Sequence, residues 1–382
     1  MIENDVLPDS DFIQEGHIPL VDADLAFRQY KSLSEFLTEK GIWHHRKFPL
    51  KYQTYFKSGG NAHFFVMPRS IVEMRVTISW LSSANIEFRV IGETSNIMFL
   101  DEVDYGVIIS TCHLVQIEMQ EGKVRVEAGY PLQDFVRIAI LEGAAGFEGL
   151  EGIPGTVGGG IFMNAGAYGS CISDKLQSVD CMTLDGEMLQ LSPIECAFSY
   201  RASAFRTNRL IIVAATFALD RGNRLAIYRK VEAVHIARHS YQEFVYPTLG
   251  SMISISGDMY RQVFRENPAY EIAYKVLKVA LKNPIVKFAA RKRPNNKVFN
   301  SLMKAYLAKI GCDVQINLSP KTANTIINDG LNRSDIIIKY MIDMDNVVGN
   351  AYHLENEVVI DSSFSVERSF EEVLSRLRAA LG

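Results

Sequence analysis

Ten of the chain's 26 glycines lie between Gly143 and Gly169, and six of these keep a three-residue period (Gly143, Gly146, Gly149, Gly152, Gly155, Gly158). Glycine at that density costs stability unless the backbone must take positive φ or approach something closely. Backbone N–H groups unshielded by side chains form concave nests for phosphate oxygens, so GIPGTVGGGIFMNAGAYG (Gly152–Gly169) reads as a cofactor cradle. Three other readings fail on the residues. The run is short and poor in proline, which excludes a collagen-like helix. No GK[ST] follows it, so it is not a phosphate loop of that kind. No clear strand leads into it, and Met163 stands at the third glycine position of a dinucleotide fingerprint. The five cysteines (Cys112, Cys171, Cys181, Cys196, Cys312) form no CxxC pair, which predicts free thiols and no metal site.

The glycine-rich stretch resembles the signature of the UDP-N-acetylenolpyruvoylglucosamine reductase family, flavoenzymes that make UDP-N-acetylmuramate for peptidoglycan. Other segments follow in that family's order: KYQTYFKSGGNA (Lys51–Ala62), GETSN (Gly92–Asn96), VEAGYPL (Val126–Leu132), FSYR (Phe198–Arg201), YPTLGS (Tyr246–Ser251), LSPKTAN (Leu318–Asn324) and LENEV (Leu354–Val358). The resemblance implies an α/β (α+β) chain. A two-lobed FAD-binding domain of the vanillyl-alcohol-oxidase type would precede a C-terminal α+β substrate domain. It further implies non-covalent FAD, NADPH as hydride donor and a nucleotide-sugar substrate, with no nucleic-acid, membrane or protein partner. By position, FAD would be held by Gly59, Gly60, Asn61, Ala62, Gly92, Glu93, Thr94, Ser95, Asn96 and Gly129. Pro154, Gly155, Thr156, Val157, Gly158, Gly159, Asn164, Ala165, Gly166 and Ile212 complete that set.

In this family NADPH reduces FAD, hydride passes to C3 of the enolpyruvyl group, and C2 is then protonated. The resemblance assigns the proton donor to Ser251, stabilisation of the intermediate to Arg201 and a protonated or hydrogen-bonded Glu357, and substrate contacts to Tyr168, Arg201 and Asn324. Alone, each has an ordinary explanation: a turn serine, a surface cation, an edge carboxylate. Several departures fall on the same site. Met252-Ile253-Ser254-Ile255-Ser256 replaces x-F-K-N-P, Tyr241 replaces a Lys or Arg, Val359 an arginine and Thr322 a histidine. The lost cations matter, because contacts of Lys and Arg to phosphate are charge-assisted. Two other functions fit the same motifs: a diverged FAD oxidoreductase with another nucleotide-linked or anionic substrate, and a flavin-binding scaffold that NADPH would not reduce.

The elements that must position these groups are legible as alternating short apolar runs and amphipathic stretches. Helices are predicted at Ala26–Lys40, Ser70–Ala84, Asn223–His239, Tyr270–Leu281 and Ser365–Leu381, and a turn at Tyr246–Ser251. Strands are predicted at His63–Met67, Phe88–Ile91, Gly106–Ser110, Ser178–Thr183, Glu187–Leu191 and Leu210–Leu219. Strand, helix, strand in that order indicates an α/β lobe. The expected division is a surface-docked extension over 1–45, an FAD-binding domain over 46–222 and a substrate domain over 223–382. The last carries an inserted basic segment, Gly257–Asn300, with ten Lys/Arg against three Asp/Glu. The 382 residues carry a formal net charge of −4, are 48% hydrophobic and 22% charged. That composition excludes wholesale disorder and argues against nucleic acid as the main partner. The acidic N-terminus lacks the pattern of a secretory signal, and no apolar run reaches a membrane span, so the expected location is the cytoplasm.

Overall fold

The computed structural model describes residues 23–101, 103–254, 258–283, 295–312, 316–331, 334–348 and 353–359. The expected helix at Ser365–Leu381 lies outside the described residues.

The first lobe opens with α1 (Ala23–Glu39), β1 (His44–Pro49), β2 (Asn61–Val66), α2 (Ile71–Ser83), β3 (Phe88–Ile91), β4 (Ile97–Phe99) and β5 (Tyr105–Ser110). Ser70 caps α2 by accepting the Glu73 N–H at 3.2 Å, which supplies the start that the apolar periodicity leaves undefined. The sheet runs β1-β2-β5-β3, with β1 antiparallel to β2 and the other neighbours parallel. The helical crossover from β2 to β3 skips one place, which β5 later fills. On β5 the apolar side chains alternate: Val107 and Ile109 face α1 and α2, and Ile108 faces β4. Leu33 and Leu37 of α1 are fully buried against Met74, Ile78 and Val107, so the docking of this helix reaches the core itself.

The second lobe is an antiparallel sheet of order β11-β10-β12-β7-β6. Its strands are β6 (Ile117–Gln120), β7 (Lys123–Glu127), β10 (Leu176–Met182), β11 (Met188–Leu191) and β12 (Ile211–Ala218). Central β12, read from sequence as a buried apolar run, has Ile211 to Ala215 buried without a break. Helices α3 (Leu132–Leu141) and α4 (Val157–Phe162) cover one face, and the Phe135 ring lies tilted against Phe217, centroids 4.8 Å apart. The small hairpin β8 (Gly166–Ala167) and β9 (Ser170–Cys171) follows α4. Met182, Ile211 and Val213 from this sheet join Phe64, Val66 and Val107 of the first, giving the two lobes a shared apolar layer.

Helix α5 (Arg224–Tyr241) leaves the second lobe but stays attached to it. Arg238 donates to Gly149 O at 3.1 Å, Lys230 meets Glu148 at 3.2 Å and His235 meets Glu151 at 3.1 Å. The C-terminal part contains α6 (Met259–Val263), α7 (Pro268–Ala280), α8 (Asn295–Lys309) and α9 (Ser334–Val348). It also holds the short strands β13 (Ile253–Ser254), β14 (His353–Leu354) and β15 (Glu357–Val359). The basic insertion is part of this core. Val263, Phe264, Tyr274 and Phe299 pack with Met303, Tyr306 and Leu307. Two of its described lysines, Lys275 and Lys278, pair inside it, with Glu271 and Asp258.

Replacing Leu33 with alanine tests how deeply α1 is built in. A fully buried leucine leaves a cavity costing about 2–5 kcal/mol, whereas a residue on a loosely docked arm would cost about 0.5 kcal/mol or less. Urea unfolding of Leu33→Ala is expected to show the larger loss.

Candidate active site

Two loops meet where the lobes join. The β3–β4 turn (residues 92–96) lies against the 154–156 turn of the glycine-rich segment. Gly155 N–H donates to Glu93 Oε2 at 3.0 Å, and Ser95 Oγ donates to Pro154 O at 3.1 Å. Burial pushes the Glu93 carboxyl above its ordinary value, with the Gly155 N–H and Lys57 opposing that shift. Thr94 holds the turn at φ 61°, a conformation unusual for a β-branched residue, and accepts the Tyr55 N–H at 2.9 Å. Thr156 starts α4 by accepting the Gly159 N–H at 3.2 Å.

The glycines of α4 divide by role. A Cβ on Gly158 would stand 2.8 Å from Ala128 Cβ, so this glycine lets α4 lie directly on the end of β7. Gly159, by contrast, is exposed, and a Cβ there would meet only Thr156 Oγ1 at 3.4 Å. A glycine inside a helix with open space outside keeps room for something the chain itself does not supply. Four buried side-chain polar atoms have no hydrogen-bond partner among the described residues: Asn164 Oδ1 and Ser58 Oγ, and, at the contact of α5 with the glycine-rich segment, Glu151 Oε2 and Arg238 Nε. Open space beside Gly159 and the orphaned Asn164 and Ser58 oxygens fit a polar cofactor at this junction.

Several expected cofactor residues spend their polar groups within the protein. Gly59 N–H donates to Asp101 Oδ1 at 2.8 Å, Gly60 N–H to Leu100 O at 3.0 Å and Gly129 N–H to Leu114 O at 2.9 Å. Asn61 binds Asp104 through both its backbone and side-chain nitrogens at 3.1 Å. Val157 and Gly158 donate to Tyr130 O and Ala128 O, and Ala165 donates to Gly160 O. Ala62 and Ile212 are buried in the two sheets.

On the other side of this junction, the C-terminal part delivers a second group of side chains. β15 pairs in parallel with β4, setting Glu357 opposite Ile97. Glu357 N–H donates to Asn96 O at 2.9 Å, and its carboxylate meets Arg206 at 3.1 Å. Glu357, expected to be protonated or hydrogen-bonded, thus has the Arg206 guanidinium as its partner. Arg201, at φ 54°, reaches Gly166 O at 3.1 Å and Glu355 Oε1 at 3.4 Å; Tyr200 OH donates to the same Glu355 oxygen at 2.7 Å. Ser251 follows Gly250, whose φ of +77° makes the turn, and is half-buried. Among the described residues no hydrogen bond engages its hydroxyl. Asn324, expected at the substrate, has its carboxamide bonded to Ile253 at both ends: Oδ1 accepts the N–H at 2.9 Å and Nδ2 donates to the carbonyl at 2.7 Å. It thereby secures the segment after Ser251.

The departures from the family pattern have structural counterparts. Tyr241 OH accepts from Tyr168 OH at 3.2 Å, and Arg238 lies 5.1 Å behind the Tyr168 ring. Burial and the Tyr241 contact push the Tyr168 phenol up to about 12. Met252, Ile253 and Val359 are core residues, and Lys321 donates to His239 O at 3.1 Å near the C-terminal end of α5. Sequence reasoning missed Ser58, Arg206, Glu355 and Asn356. Position was the available signal: Arg206 follows Arg201 by five residues, and Glu355 and Asn356 immediately precede Glu357.

Residues 62–192 match the family model described as an FAD binding domain. Relatives named UDP-N-acetylenolpyruvoylglucosamine reductase include that of Lactobacillus helveticus, 35% identical over 216 residues, which are 56% of this chain and 72% of the relative. Those of Listeria welshimeri (37%, covering 53% and 69%) and Carboxydothermus hydrogenoformans (36%, covering 61% and 73%) are similar. In fold, the chain is similar to the crystal structure of UDP-N-acetylenolpyruvylglucosamine reductase from Thermus caldophilus. The TM-score is 0.58 at 22% identity, covering 84% of this chain and 99% of the other. The architecture is thus the two-domain α/β FAD-binding fold of the vanillyl-alcohol-oxidase type. Among the described residues no helix is long and apolar enough to cross a membrane, and no cluster of His, Cys, Asp or Glu could hold a metal ion.

Gly158→Val is expected to release the flavin, because a β-branched side chain would drive α4 away from Ala128. Flavin content read from visible absorbance, and FAD freed on denaturation, check this against an exposed α1 substitution, Glu39→Ala, that should retain full colour.

Proposed function

The chain belongs to the UDP-N-acetylenolpyruvoylglucosamine reductase family, and from that premise we propose that Ser251, Arg201 and Glu357 carry the substrate half of its reaction. The protein is an FAD-dependent reductase of peptidoglycan precursor synthesis, of the UDP-N-acetylmuramate dehydrogenase type, and NADPH is its hydride donor. Identity of 35–37% to relatives bearing the reductase's name favours this activity over a diverged oxidoreductase or a flavin scaffold. Bound FAD would supply the hydride chemistry between NADPH and C3 of the enolpyruvyl group.

The chain's own residues have three tasks. The first is holding the cofactor, for which Ser58, Glu93, Ser95, Thr156, Gly159 and Asn164 line the lobe junction described above. The second is stabilising charge as the enolpyruvyl carboxylate becomes enolate-like, a task for the Arg201 guanidinium at the strained turn after Tyr200. The third is proton delivery at C2, for which the Ser251 hydroxyl is half-buried and unclaimed. Glu357 and Arg206 together form a fixed pair of opposite charges at the start of β15. One observation carries the reading. Glu355 bonds Arg201 through its side chain and Met252 O through its N–H (2.9 Å), so the arginine, the serine turn and Glu357 are linked within three consecutive residues, Glu355 to Glu357, where β14 passes into β15.

If Ser251 Oγ supplies the proton, Ser251→Ala removes an interaction used only after flavin reduction. Anaerobic stopped-flow should find reduction by NADPH near wild type. Reoxidation by UDP-N-acetylenolpyruvoylglucosamine should fall by about a hundredfold or more, with substrate affinity little changed. Ser251→Cys, which still carries a proton, should recover part of the rate. Unimpaired reoxidation in Ser251→Ala would leave the serine as a turn residue.

A further inference from the structure

In LENEV (Leu354–Val358), the segment that resembles the family's L-x-P-E-V, Asn356 takes the place of the proline. It is buried, with 8% of its surface exposed. Its Nδ2 donates two hydrogen bonds, to Asn96 Oδ1 at 3.1 Å and to Leu249 O at 2.9 Å. These acceptors belong to different parts of the site. Asn96 ends the β3–β4 turn that lies against the glycine-rich segment; Leu249 is two residues before Ser251; Asn356 itself immediately precedes Glu357. Asn96 completes the knot from its own side, donating to Glu355 O at 2.7 Å and accepting the Glu357 N–H at 2.9 Å. A proline could make neither side-chain bond.

We propose that Asn356 is a positioning residue for the reaction: its carboxamide sets the spacing of Ser251 and Glu357 over the Asn96 turn. The inference rests on the assignment of the proton to Ser251. Three chain segments converge on one NH₂ group with both hydrogens engaged. Losing that group leaves Leu249 O and Asn96 Oδ1 without donors in a buried place and lets the serine turn shift. A displacement of about 1 Å is enough to cost on the order of a hundredfold in a proton transfer that needs an aligned donor. Flavin reduction does not use that geometry.

The test compares Asn356→Ala and Asn356→Asp with wild type and Ser251→Ala, all as holoenzymes. Asp keeps the size but lacks the donor, so it guards against a cavity effect in Ala. Expected are wild-type flavin content and NADPH reduction in both variants, with reoxidation at least tenfold slower and the change in kcat rather than KM. Adding Asn356→Ala to Ser251→Ala should cost little further rate, because one residue acts through the other. Reoxidation at the wild-type rate in Asn356→Asp overturns the proposal, as do equal losses in both half-reactions, multiplied losses in the double variant, or release of flavin. If Ser251→Ala itself reoxidises normally, the assignment of the serine fails first, and slow reoxidation in the Asn356 variants would then contradict this proposal too.

Discussion

Three residues of parallel pairing, Glu357 with Ile97, Val358 with Met98 and Val359 with Phe99, join the last described strand to the turn beside the glycine-rich segment. This short ladder is one of several contacts that bring the C-terminal part to the cofactor side, beside Asn328 Nδ2 to Phe56 O at 2.8 Å and Asp101 N–H to Ser334 Oγ at 3.0 Å. Closing a loop of some 260 residues is less prohibitive than it sounds, since the entropy grows only with the logarithm of length, about 0.6 kcal/mol per doubling. Three hydrogen-bonded pairs would still be a weak clasp alone. Burial of Val359 beside Phe99 and Ile108 reinforces it, as does the Tyr105 hydroxyl, which donates to Val359 O at 2.9 Å and accepts the Leu100 N–H at 2.8 Å. The valine in place of a family arginine therefore has a structural occupation, and an arginine there would have to leave this apolar layer.

Backbone strain marks the same region. Among the described residues nine that are not glycine have positive φ, and four of them, Thr94, Asn164, Tyr168 and Arg201, are among the residues the family resemblance assigns to cofactor or substrate. Each such conformation costs about 1–3 kcal/mol and persists only where neighbours hold it. Here the neighbours can be named: the Tyr55 N–H on Thr94, Ser199 O on Asn164, Tyr241 on Tyr168 and Gly166 O on Arg201. These four sit in connections between elements, whereas Lys47, at φ 49°, lies inside β1, and β10 shifts register against β12 at two points.

Periodicity made the lobes legible. β3 begins and ends where its apolar run does, α2 falls inside the expected Ser70–Ala84, and β12 inside Leu210–Leu219. Short strands such as β1, β4 and β15 were missed because three to six residues with polar or edge-strand sequences carry no period-2 signal, and their existence depends on distant partners. The site was legible by residue type but not by use. Glycines at 59, 60 and 129 promised free N–H groups, yet all three donate to protein oxygens, which only the fold could reveal. Asn356 was invisible for a related reason: its value lies in two acceptors 107 and 260 residues away.

The balance of charge at the site follows from these contacts. The cations expected at 241 and 359 are a tyrosine and a valine, and the positive charge near the predicted substrate residues includes that of Arg201, Arg206 and Arg238. Two of these face carboxylates, Glu355 and Glu357, and the third is buried behind Tyr168. Burial pulls the Arg238 guanidinium below its ordinary value, with Tyr168, Tyr241 and Glu151 opposing the shift. An anionic substrate thus gains from Arg201 only the difference between its own contact and the one Glu355 already makes, and that difference is smaller than a fresh charge-assisted bond. A site built this way depends less on net attraction than on geometry, and geometry is what the Asn96, Glu355 and Asn356 network provides.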